Sequence, residues 1–412
     1  MLAERYDVFL IDLDGVMYVG DELLPGSREA VEALRRMGKQ IYFLTNDPRY
    51  LRREFCEKLL RLGVSAQEEE FITPGWTAAH YLARHGIRRV QVIGTASLRA
   101  EFANQGIQAV TTGECQAVVV GYDEHATLTE VEQAVRQIEE GALFIATNPD
   151  LSFPGKEGRQ LATGAIVQAI QAASRRIPVI IGKPYPPMFQ QALHKAGNSS
   201  RTVMIGDSPD TDILGAHQCG LDAILVERTA CRYPAASDYR LPNARITTLL
   251  ELFQHSSDFR EWRDPGFPWP DTIEPGVTAV ILNSQGEVLL VERVDNGLWG
   301  LPSGHVEKAE TVTQAIVREI CEETGLAVAV EKLVGVYSEP ATQVFSYPSG
   351  KRTHFITLCF RCSITGGRLR ADKNEVSRAA FFAVDELPAN LLPMHPQWLK
   401  DALNKAAAAV IR

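Results

Sequence analysis

The amino-acid sequence predicts an α/β protein made of two successive units. Apolar runs with the length of buried strands alternate with amphipathic helical stretches up to about residue 250, which is typical of a parallel sheet covered by helices. A proline-rich stretch at 264–271 follows, and a second α/β pattern begins beyond it. A chain of 412 residues has room for two or three domains, each with its own core.

The charge distribution favours small anions with a metal as ligands over a nucleic acid. The formal net charge is −9 and paired arginines are scattered along the chain, which argues against a nucleic-acid surface. No apolar run reaches the ~18 residues of a membrane span, so we expect no membrane partner. The first residues lack the pattern of a signal peptide and seven cysteines are irregularly spaced, so we expect a cytoplasmic protein with reduced thiols. The sequence leaves open whether the chain forms a homo-oligomer.

The first apolar run is followed by two carboxylates. Residues 8–11 are apolar, as in a buried parallel strand, and Asp12 and Asp14 come directly after them. Open α/β sheets bind ligands at the carboxyl ends of their strands. Asp12 could attack a phosphorus atom, while Asp14 protonates the leaving oxygen and later activates water. The alternative is a strand that ends in an ordinary Asp-Gly turn at Gly15.

A second strand end carries small polar residues. A helical stretch opened by Gly26 leads to an apolar strand at 40–44, and strand, helix and strand predict a parallel pair. Thr45 and Asn46 follow that strand and could donate hydrogen bonds to a phosphoryl group held near Asp12. The alternative is an ordinary turn.

Residues 73–181 have an α/β pattern of their own and interrupt the first domain. Their apolar runs predict strands near 90–94, 117–121 and 143–148. Where the first domain resumes, Lys183 leaves a strand end, and its ammonium could neutralise a phosphate or a nucleophilic carboxylate.

A third apolar strand, 202–205, ends in a second acidic group. Asp207 follows that strand, and Asp212 lies five residues further on, at a helix start. Mg²⁺ prefers oxygen ligands, usually a few carboxylates together with phosphate and water. Asp207 beside Asp12 would supply that charge, and Asp212 would orient these ligands without binding the metal itself.

Taken in order, these residues resemble the four motifs of the haloacid dehalogenase (HAD) superfamily. The position of the insert is similar to the class II cap of the NagD-type branch, which includes p-nitrophenylphosphatase-like enzymes acting on nucleotides and related monophosphates. Residues 146–150 and 182–184 also resemble that branch. The resemblance implies a HAD Rossmann-like parallel sheet with an inserted α/β cap domain, and a Mg²⁺-dependent phosphatase that hydrolyses phosphoric monoesters.

The same resemblance assigns roles to the matching residues. Asp12 is the nucleophile and Asp14 the general acid and base. The metal ligands are Asp12, Asp207 and the backbone carbonyl of Asp14. The phosphate- or substrate-binding residues are Thr45, Asn46, Asn148 and Lys183. The chain departs from the branch at Asp47, where a second asparagine is common, and an extra negative charge there could narrow the substrate range.

The C-terminal part begins with a predicted hairpin and continues into an acidic helix. Apolar runs at 276–282 and 288–293, joined by a polar turn, favour two antiparallel neighbours. Helical spacing then runs over 311–324 and ends at Gly325. Three carboxylates lie on one face of this helix at i, i+3 and i+4: Glu319, Glu322 and Glu323. Mg²⁺ bridging a diphosphate would make this arrangement favourable, and the alternative is a solvated acidic face.

The spacing from Gly304 to Leu326 resembles the Nudix box without a mismatch. The resemblance implies a Nudix α/β/α sandwich that cleaves a nucleoside diphosphate linked to a group X by water attack at phosphorus. It implies Mg²⁺, with Mn²⁺ as an alternative, held by Glu319, Glu322, Glu323 and the Gly304 carbonyl. Glu310 and Arg318 would orient these ligands. The general base stays open between a helix glutamate, Glu322 or Glu323, and Glu375 in a later loop.

The sequence therefore predicts a bifunctional hydrolase acting on small-molecule nucleotides. The predicted boundaries are 1–72 and 182–252 for the phosphatase core, 73–181 for the cap, 253–271 for a proline-rich linker and 272–412 for the Nudix domain. In this hypothesis the Nudix domain cleaves a substrate such as ADP-ribose, a sugar nucleotide or a dinucleotide. The HAD domain then dephosphorylates nucleoside monophosphates or sugar phosphates through an aspartyl phosphate. The alternative is a phosphatase regulated by a Nudix module that binds a ligand without hydrolysing it.

Overall fold

The chain divides into two compact units, Met1–Asp264 (unit 1) and Pro265–Arg412 (unit 2). The structure, a computed structural model, describes residues 1–111, 113–155, 158–227, 238–254, 258–347, 350–404 and 408–412. Across these ranges, no helix is both long and apolar enough to cross a membrane.

A six-stranded parallel sheet forms the centre of unit 1. Its strands, in spatial order, are Ala244–Ile246, Asp222–Val226, Thr202–Gly206, Val8–Asp12, Gln40–Leu44 and Phe71–Ile72. The strand Val8–Asp12 is buried along its whole length, as its continuous apolar run predicts. Because the strands are parallel, their carboxyl ends meet at one edge of the sheet.

Helices cover both faces of this first sheet. They are Leu2–Arg5, Ser27–Arg36, Arg52–Arg61, Pro74–Arg84, Pro186–Lys195 and Leu214–Gln218, with a π-helical turn at Pro209–Ile213 and 3-10 turns at Glu68–Glu70 and Leu249–Phe253. The helix Ser27–Arg36 buries Ala30, Val31 and Leu34 against the sheet, as its periodicity predicts. A two-stranded ribbon, Tyr18–Val19 with Glu22–Leu23, follows the first strand.

The insert forms a second parallel sheet within unit 1. Its strands, in spatial order, are Val179–Ile180, Leu143–Ala146, Ala117–Val120, Arg89–Ile93 and Gln108–Val110. The helices Ala96–Asn104, Leu128–Glu139 and Thr163–Ser174 accompany it, and Ser152–Gly155 pairs with Gly158–Leu161 as an antiparallel ribbon. The two sheets share one hydrophobic cluster, in which Leu10 and Ile72 belong to the first sheet and Val92 and Val119 to the second. The insert is therefore packed continuously onto the rest of unit 1.

The first part of the predicted linker packs on unit 1. The Arg5 guanidinium carbon lies 4.0 Å from the ring centroid of Phe259. The Trp262 ring stacks on His217 with centroids 4.7 Å apart. Unit 1 extends to Asp264 because these aromatic contacts hold the segment.

Unit 2 contains two sheets. The larger has the order Ser303–His305, Thr272–Ile281, Arg352–Gly367, Leu326–Tyr337 and Val410–Ile411, with Val344–Ser346 also paired to Arg352–Gly367. The smaller has the order Trp299–Gly300, Val288–Arg293 and Val376–Phe382. The helices are Val312–Thr324, Pro340–Gln343 and His395–Leu403. Cys359 and Cys362, on one strand of the larger sheet, belong to different hydrophobic clusters, which also contain residues of the helices His395–Leu403 and Val312–Thr324, respectively. A helix on each face gives the predicted α/β/α layering.

The predicted hairpin at the start of unit 2 is wrong. Thr272–Ile281 pairs with Arg352–Gly367 over ten residues, and Val288–Arg293 pairs in the smaller sheet, so only an isolated bridge, Leu282 to Val288, joins the two strands. The turn itself is present, since Gly286 N donates to Asn283 O at 3.1 Å. The physical reason is burial. A continuously apolar strand is buried on both faces, which needs a neighbouring strand on each edge and packed elements above and below, and a two-stranded hairpin supplies neither.

Candidate active sites

Three strand ends of the first sheet meet in unit 1. Asp12 ends its strand, Thr45 follows Gln40–Leu44, and Asp207 follows Thr202–Gly206. Asp12 and Thr45 are buried, and Asp207 is half-buried. The structure therefore brings together residues that lie far apart in the sequence, at the edge where parallel sheets bind ligands.

Lys183 is a buried cation between two carboxylates. Its Nζ donates to Asp12 Oδ1 at 2.6 Å and to Asp212 Oδ1 at 2.6 Å. Burial lowers the pKa of Lys183, but the charges of Asp12 and Asp212 outweigh burial and raise that pKa above its ordinary value. Lys183 therefore stays protonated and fixes the positions of both carboxylates.

Three carboxylates converge beside this lysine. Asp12, Asp207 and Asp212 each offer one oxygen, and the three oxygens lie within 4.8 Å of one another. Two glycines permit the approach, since a Cβ on Gly15 would lie 2.0 Å from Asp207 Oδ2 and one on Gly206 would lie 2.2 Å from Asp212 Cβ. Asp212 thus lies among the candidate ligands themselves, closer than the sequence suggests.

The charges and donor types of this cluster fit a divalent cation. Three carboxylates face one ammonium, and all three offer oxygen, the donor that Mg²⁺ prefers. Burial raises the pKa of Asp12 well above its ordinary value, and the Lys183 charge offsets this only in part. A bound cation would stabilise the ionised form of Asp12.

Asp14 lies at the mouth of this site, on the turn that follows the strand. Its side chain is exposed, in contrast to that of Asp12. Partial desolvation raises the pKa of Asp14, and the charge of Lys58 opposes the rise. An exposed carboxyl with a raised pKa suits an acid that exchanges protons with water.

The two predicted asparagines hold backbone groups. Asn46 Oδ1 accepts from Lys183 N at 2.8 Å, and Asn46 Nδ2 donates to Lys183 O at 2.9 Å and to Asp150 Oδ2 at 3.2 Å. Asn148 Nδ2 donates to Asn46 O at 2.7 Å. These amides therefore join the loop that carries Lys183 to the strand ends of both sheets.

An arginine and its aromatic neighbours near the site escape the sequence analysis. Arg49 Nε donates to Asp47 Oδ1 at 2.8 Å and Nη2 to Asp47 Oδ2 at 2.7 Å, so the unusual aspartate has a cationic partner two residues away. The Arg49 guanidinium carbon lies 5.7 Å and 5.3 Å from the ring centroids of Tyr122 and Phe153. An Asp-x-Arg spacing is a visible signal, but the rings come from the insert, more than 70 positions away.

In unit 2, the strand Ser303–His305 lies across the acidic helix. Glu323 Oε2 accepts from Ser303 N at 3.1 Å, and Glu319 Oε1 accepts from His305 N at 3.2 Å. A Cβ on Gly304 would lie 2.0 Å from the Glu319 carboxyl carbon, so only glycine permits this approach. The helix is positioned by its capped start at Thr311 and by Gly325, whose φ of +69° ends it.

Arg318 connects the remaining acidic residues of the motif. It donates from Nε to Glu310 Oε2 at 3.1 Å and from Nη2 to Glu310 Oε1 at 2.7 Å. Its Nη1 lies 3.0 Å from an oxygen of Glu319 and 3.0 Å from an oxygen of Glu322. The structure thus brings Glu319 and Glu323 to the same strand and turns Glu322 towards Arg318.

Glu323 and Glu319 are the two buried carboxylates of the acidic helix. Desolvation raises the pKa of Glu323 to about 8, with Glu319 and Glu375 adding to the rise and Ser303 N and Arg293 opposing it. Desolvation also raises the pKa of Glu319. Two buried carboxylates with raised pKa values beside a backbone strand fit a cation site, in which the Gly304 carbonyl would be a further oxygen donor. Glu375 is exposed, and its charge acts on Glu323.

Comparisons with known proteins match both halves. The family model described as haloacid dehalogenase-like hydrolase matches residues 9–108, a HAD-hydrolase-like model matches 180–252, and the NUDIX domain model matches 272–404. The glycerol-3-phosphate phosphatase of Homo sapiens is 36% identical over 255 residues, which are 54% of this chain and 79% of the human protein. The chain therefore belongs to the haloacid dehalogenase-like hydrolases and carries a C-terminal NUDIX domain, as the sequence motifs predict.

Solved structures agree with this assignment. The 4-nitrophenylphosphatase of Thermotoga maritima has a TM-score of 0.57 and 31% identity, covering 62% of this chain and 99% of that one. The glycerol phosphate phosphatase of Mycobacterium tuberculosis, crystallised with magnesium, has a TM-score of 0.58 and 26% identity, covering 77% of this chain and 90% of that one. The protein thus combines a phosphatase-type unit with a NUDIX domain.

Proposed function

We propose that unit 1 hydrolyses phosphomonoesters and unit 2 hydrolyses the diphosphate of a nucleoside diphosphate linked to a group X. The observation that carries the proposal is the cluster of Asp12, Lys183, Asp207 and Asp212, in which oxygens of two of the aspartates contact one buried ammonium. The acidic helix held against Ser303–His305 supports the second activity.

In unit 1, Asp12 attacks phosphorus and the ester oxygen leaves with a proton from Asp14. The resulting aspartyl phosphate is hydrolysed by water that Asp14 deprotonates. Thr45 Oγ1 accepts a hydrogen bond from Asp47 N at 3.1 Å, so its own proton remains available to a phosphoryl oxygen. Mg²⁺, held by Asp12, Asp207 and the Asp14 carbonyl with Asp212 close by, would supply positive charge against the phosphoryl oxygens.

The insert, 73–181, serves in this proposal as a cap over the phosphatase site. Asn46 and Asn148 act by positioning other groups. The Asn46 amide is already hydrogen-bonded to the Lys183 backbone and to Asp150 Oδ2, and the Asn148 amide donates to Asn46 O. Substrate contact by these side chains would require those bonds to break. We therefore assign them a positioning role.

In unit 2, water attacks phosphorus. Glu319 and Glu323, together with the Gly304 carbonyl, would hold Mg²⁺, which would supply positive charge against the phosphoryl oxygens. The hydrogen bonds from Arg318 to Glu310 hold the acidic face of the helix in position. Glu322 could join the ligands if Arg318 releases it. The base is either a helix glutamate or Glu375, which lies in the same electrostatic environment as Glu323.

The two reactions form a relay, because cleavage of a diphosphate yields phosphomonoesters, the substrate class of unit 1. The test uses ADP-ribose for unit 2 and 4-nitrophenyl phosphate for unit 1, with the full chain. Asp12→Asn should abolish release of 4-nitrophenol while ADP-ribose is still cleaved, and Glu323→Gln should do the reverse. Asp7→Asn and Glu331→Gln, exposed acidic residues of each unit, are the matched controls. Loss of both activities in either variant, with the fold intact by circular dichroism, would refute independent sites.

A ligand-sensing Nudix module is the second candidate. The observation that favours it is that Glu319 and Glu323 accept from the backbone of Ser303–His305, whereas the exposed Glu322 pairs, among the described residues, with Arg318 only. A sensor would bind ADP-ribose without cleaving it and would change the rate of 4-nitrophenyl phosphate hydrolysis. Intact ADP-ribose after prolonged incubation with Asp12→Asn protein and Mg²⁺ would support the sensor over the relay.

A further inference from the structure

Asp47 and Arg49 form a neutral ion pair next to the phosphatase site. Both guanidinium nitrogens on one edge, Nε and Nη2, contact the two Asp47 oxygens, and Arg49 N also donates to Asp47 Oδ1 at 3.0 Å. The Arg49 carbonyl accepts from Thr95 Oγ1 at 2.9 Å, which ties the loop to the insert. The pair is thus held at both its side chains and its backbone.

This pair adjoins two groups of the proposed phosphatase site, Thr45 and Asp14. Asp47 N donates to Thr45 Oγ1, a predicted phosphate contact, so Asp47 adjoins the phosphoryl position. Both Asp47 and Arg49 act electrostatically on Asp14, the proposed acid that protonates the leaving oxygen. The rings of Tyr122 and Phe153, 5.3 Å apart and nearly perpendicular, lie beyond the guanidinium.

The second edge of the guanidinium remains available to a ligand. Among the described residues Nη1 has no hydrogen-bond partner, and the Arg49 side chain is 37% exposed against 23% for Asp47. An unpaired arginine here would attract an anionic leaving group, because guanidinium binds carboxylate and phosphate through two parallel bonds. Asp47 cancels that attraction while leaving hydrogen-bond donors and acceptors in place.

We propose that Asp47 makes the phosphatase site selective for monoesters with an uncharged polyol or sugar leaving group. The hydroxyl groups of such a leaving group accept hydrogen bonds from Arg49 and donate to Asp47. Its C–H groups pack on the rings of Tyr122 and Phe153. A leaving group with its own carboxylate meets the Asp47 charge instead and binds more weakly. This inference rests on the proposed phosphatase activity of unit 1 and names its substrate class.

The test compares two esters that differ at one group. Glycerol 3-phosphate ends in a hydroxymethyl group where 3-phosphoglycerate carries a carboxylate. For the full chain with Mg²⁺, kcat/KM should favour glycerol 3-phosphate. Asp47→Asn should raise the ratio of 3-phosphoglycerate to glycerol 3-phosphate roughly tenfold, the scale of one charge-assisted hydrogen bond. Arg49→Gln should lower the same ratio, because it leaves Asp47 without its counter-ion.

The matched control is Glu70→Gln, which removes the carboxylate from another arginine pair of unit 1, in which Arg35 Nη2 contacts both Glu70 oxygens at 2.7 Å. This control should leave the ratio unchanged. An unchanged ratio in active Asp47→Asn or Arg49→Gln protein would overturn the role of Asp47 while leaving the phosphatase proposal standing. If the wild-type chain releases 4-nitrophenol from 4-nitrophenyl phosphate but does not hydrolyse glycerol 3-phosphate, this inference alone is overturned. Failure with all three esters would overturn the phosphatase proposal as well.

Discussion

The two candidate sites gather acidic side chains in opposite ways. In unit 1 the carboxylates come from separate strand ends, and the cation between them, Lys183, lies 171 positions from Asp12 in the sequence. In unit 2 the carboxylates come from one helix, and the cation, Arg318, belongs to that same helix. A site built from distant strand ends depends on the whole sheet, whereas a site on one helix depends mainly on the helix and one crossing strand.

The two cations also differ in burial. The Lys183 side chain is 3% exposed, and the Arg318 side chain is 26% exposed. A buried charge that loses its partner is costly, while a solvated charge is compensated by water. The comparison predicts that removing each cation will have very different consequences.

The largest effect is expected from Lys183→Met. Its removal leaves Asp12 and Asp212 buried without a cation, so the free energy of unfolding of unit 1 should fall by about 3–5 kcal/mol in chelator. Arg318→Met should lower that of unit 2 by only about 1 kcal/mol. Urea titrations of the full chain, monitored by hydrogen exchange, would report the unfolding of each unit separately. Lys39→Met, which removes a lysine paired with the exposed Asp7, is the control. Equal losses for Lys183 and Arg318 would contradict the comparison.

The next largest effect is expected at the two glycines whose missing side chain lets a carboxylate approach the backbone. Gly15→Ala places a Cβ 2.0 Å from Asp207 Oδ2, and Gly304→Ala places one 2.0 Å from the Glu319 carboxyl carbon. Displacing a ligand by about 1 Å can cost roughly 10²-fold in rate, so each substitution should reduce only the activity of its own unit by that order. Rates with 4-nitrophenyl phosphate and ADP-ribose measure the two effects.

Two other glycines separate steric displacement from backbone strain. Gly15 has a φ of +83°, and Gly20 has a φ of +58°, but a Cβ added to Gly20 would meet no atom within 4 Å. Gly20→Ala should therefore introduce strain without loss of phosphatase activity. In unit 2 neither Gly304 nor Gly366 has a positive φ, and the nearest atom to an added Cβ on Gly366 would be 4.0 Å away. Gly366→Ala therefore introduces neither strain nor a clash and is the control for Gly304→Ala. A loss of phosphatase activity in Gly20→Ala would assign the Gly15 effect to strain.

The sequence predicts motifs on strand ends and helix faces well, because those depend on local spacing. Asp12, Asp207 and the helix Val312–Thr324 lie where periodicity places them. Pairing between distant strands is less accessible, as the misassigned hairpin shows, since apolar runs do not specify which strand lies beside which.

Side-chain partners are harder still to predict. The two hydrogen bonds of Asn46 to the Lys183 backbone depend on how two loops meet, and the spacing of these residues carries no sign of them. Likewise, Asp212 appears in the sequence as a supporting residue, but the π-helical turn at Pro209–Ile213 brings its carboxylate beside Asp12 and Asp207.

A smaller difference should appear between buried histidines of the two units. In unit 2, burial lowers the pKa of His395 to about 3, and its Nδ1 accepts from Leu301 N at 2.7 Å. Because the folded-state pKa lies below the unfolded value, stability is present above pH 6.5 and is lost as pH falls towards 3. The loss should be about 1.4 kcal/mol per pH unit. His217, in unit 1, also has a burial-lowered pKa, but two oxygens face its nitrogens and oppose the shift.

Acid unfolding of each unit in the full chain measures this difference. His395→Asn keeps an acceptor for Leu301 N but does not titrate, so it should flatten the pH dependence of unit 2 below pH 6.5. His85→Asn, at an exposed position, is the control and should change nothing. A wild-type slope retained in His395→Asn would assign the acid sensitivity to other groups.

The smallest effect on stability is expected from Glu322→Gln. Its side chain is 58% exposed and its ion pair with Arg318 lies on the surface, so the free energy of unfolding should change by less than about 0.5 kcal/mol. If Glu322 serves only Arg318, Mg²⁺ affinity and ADP-ribose cleavage should also be unchanged. If Arg318 releases it to the ion, both should fall while stability does not, and calorimetric titration with Mg²⁺ distinguishes these outcomes. The second result would show that unit 2 completes its metal site by exchanging a partner, whereas unit 1 has its three carboxylates assembled by the fold.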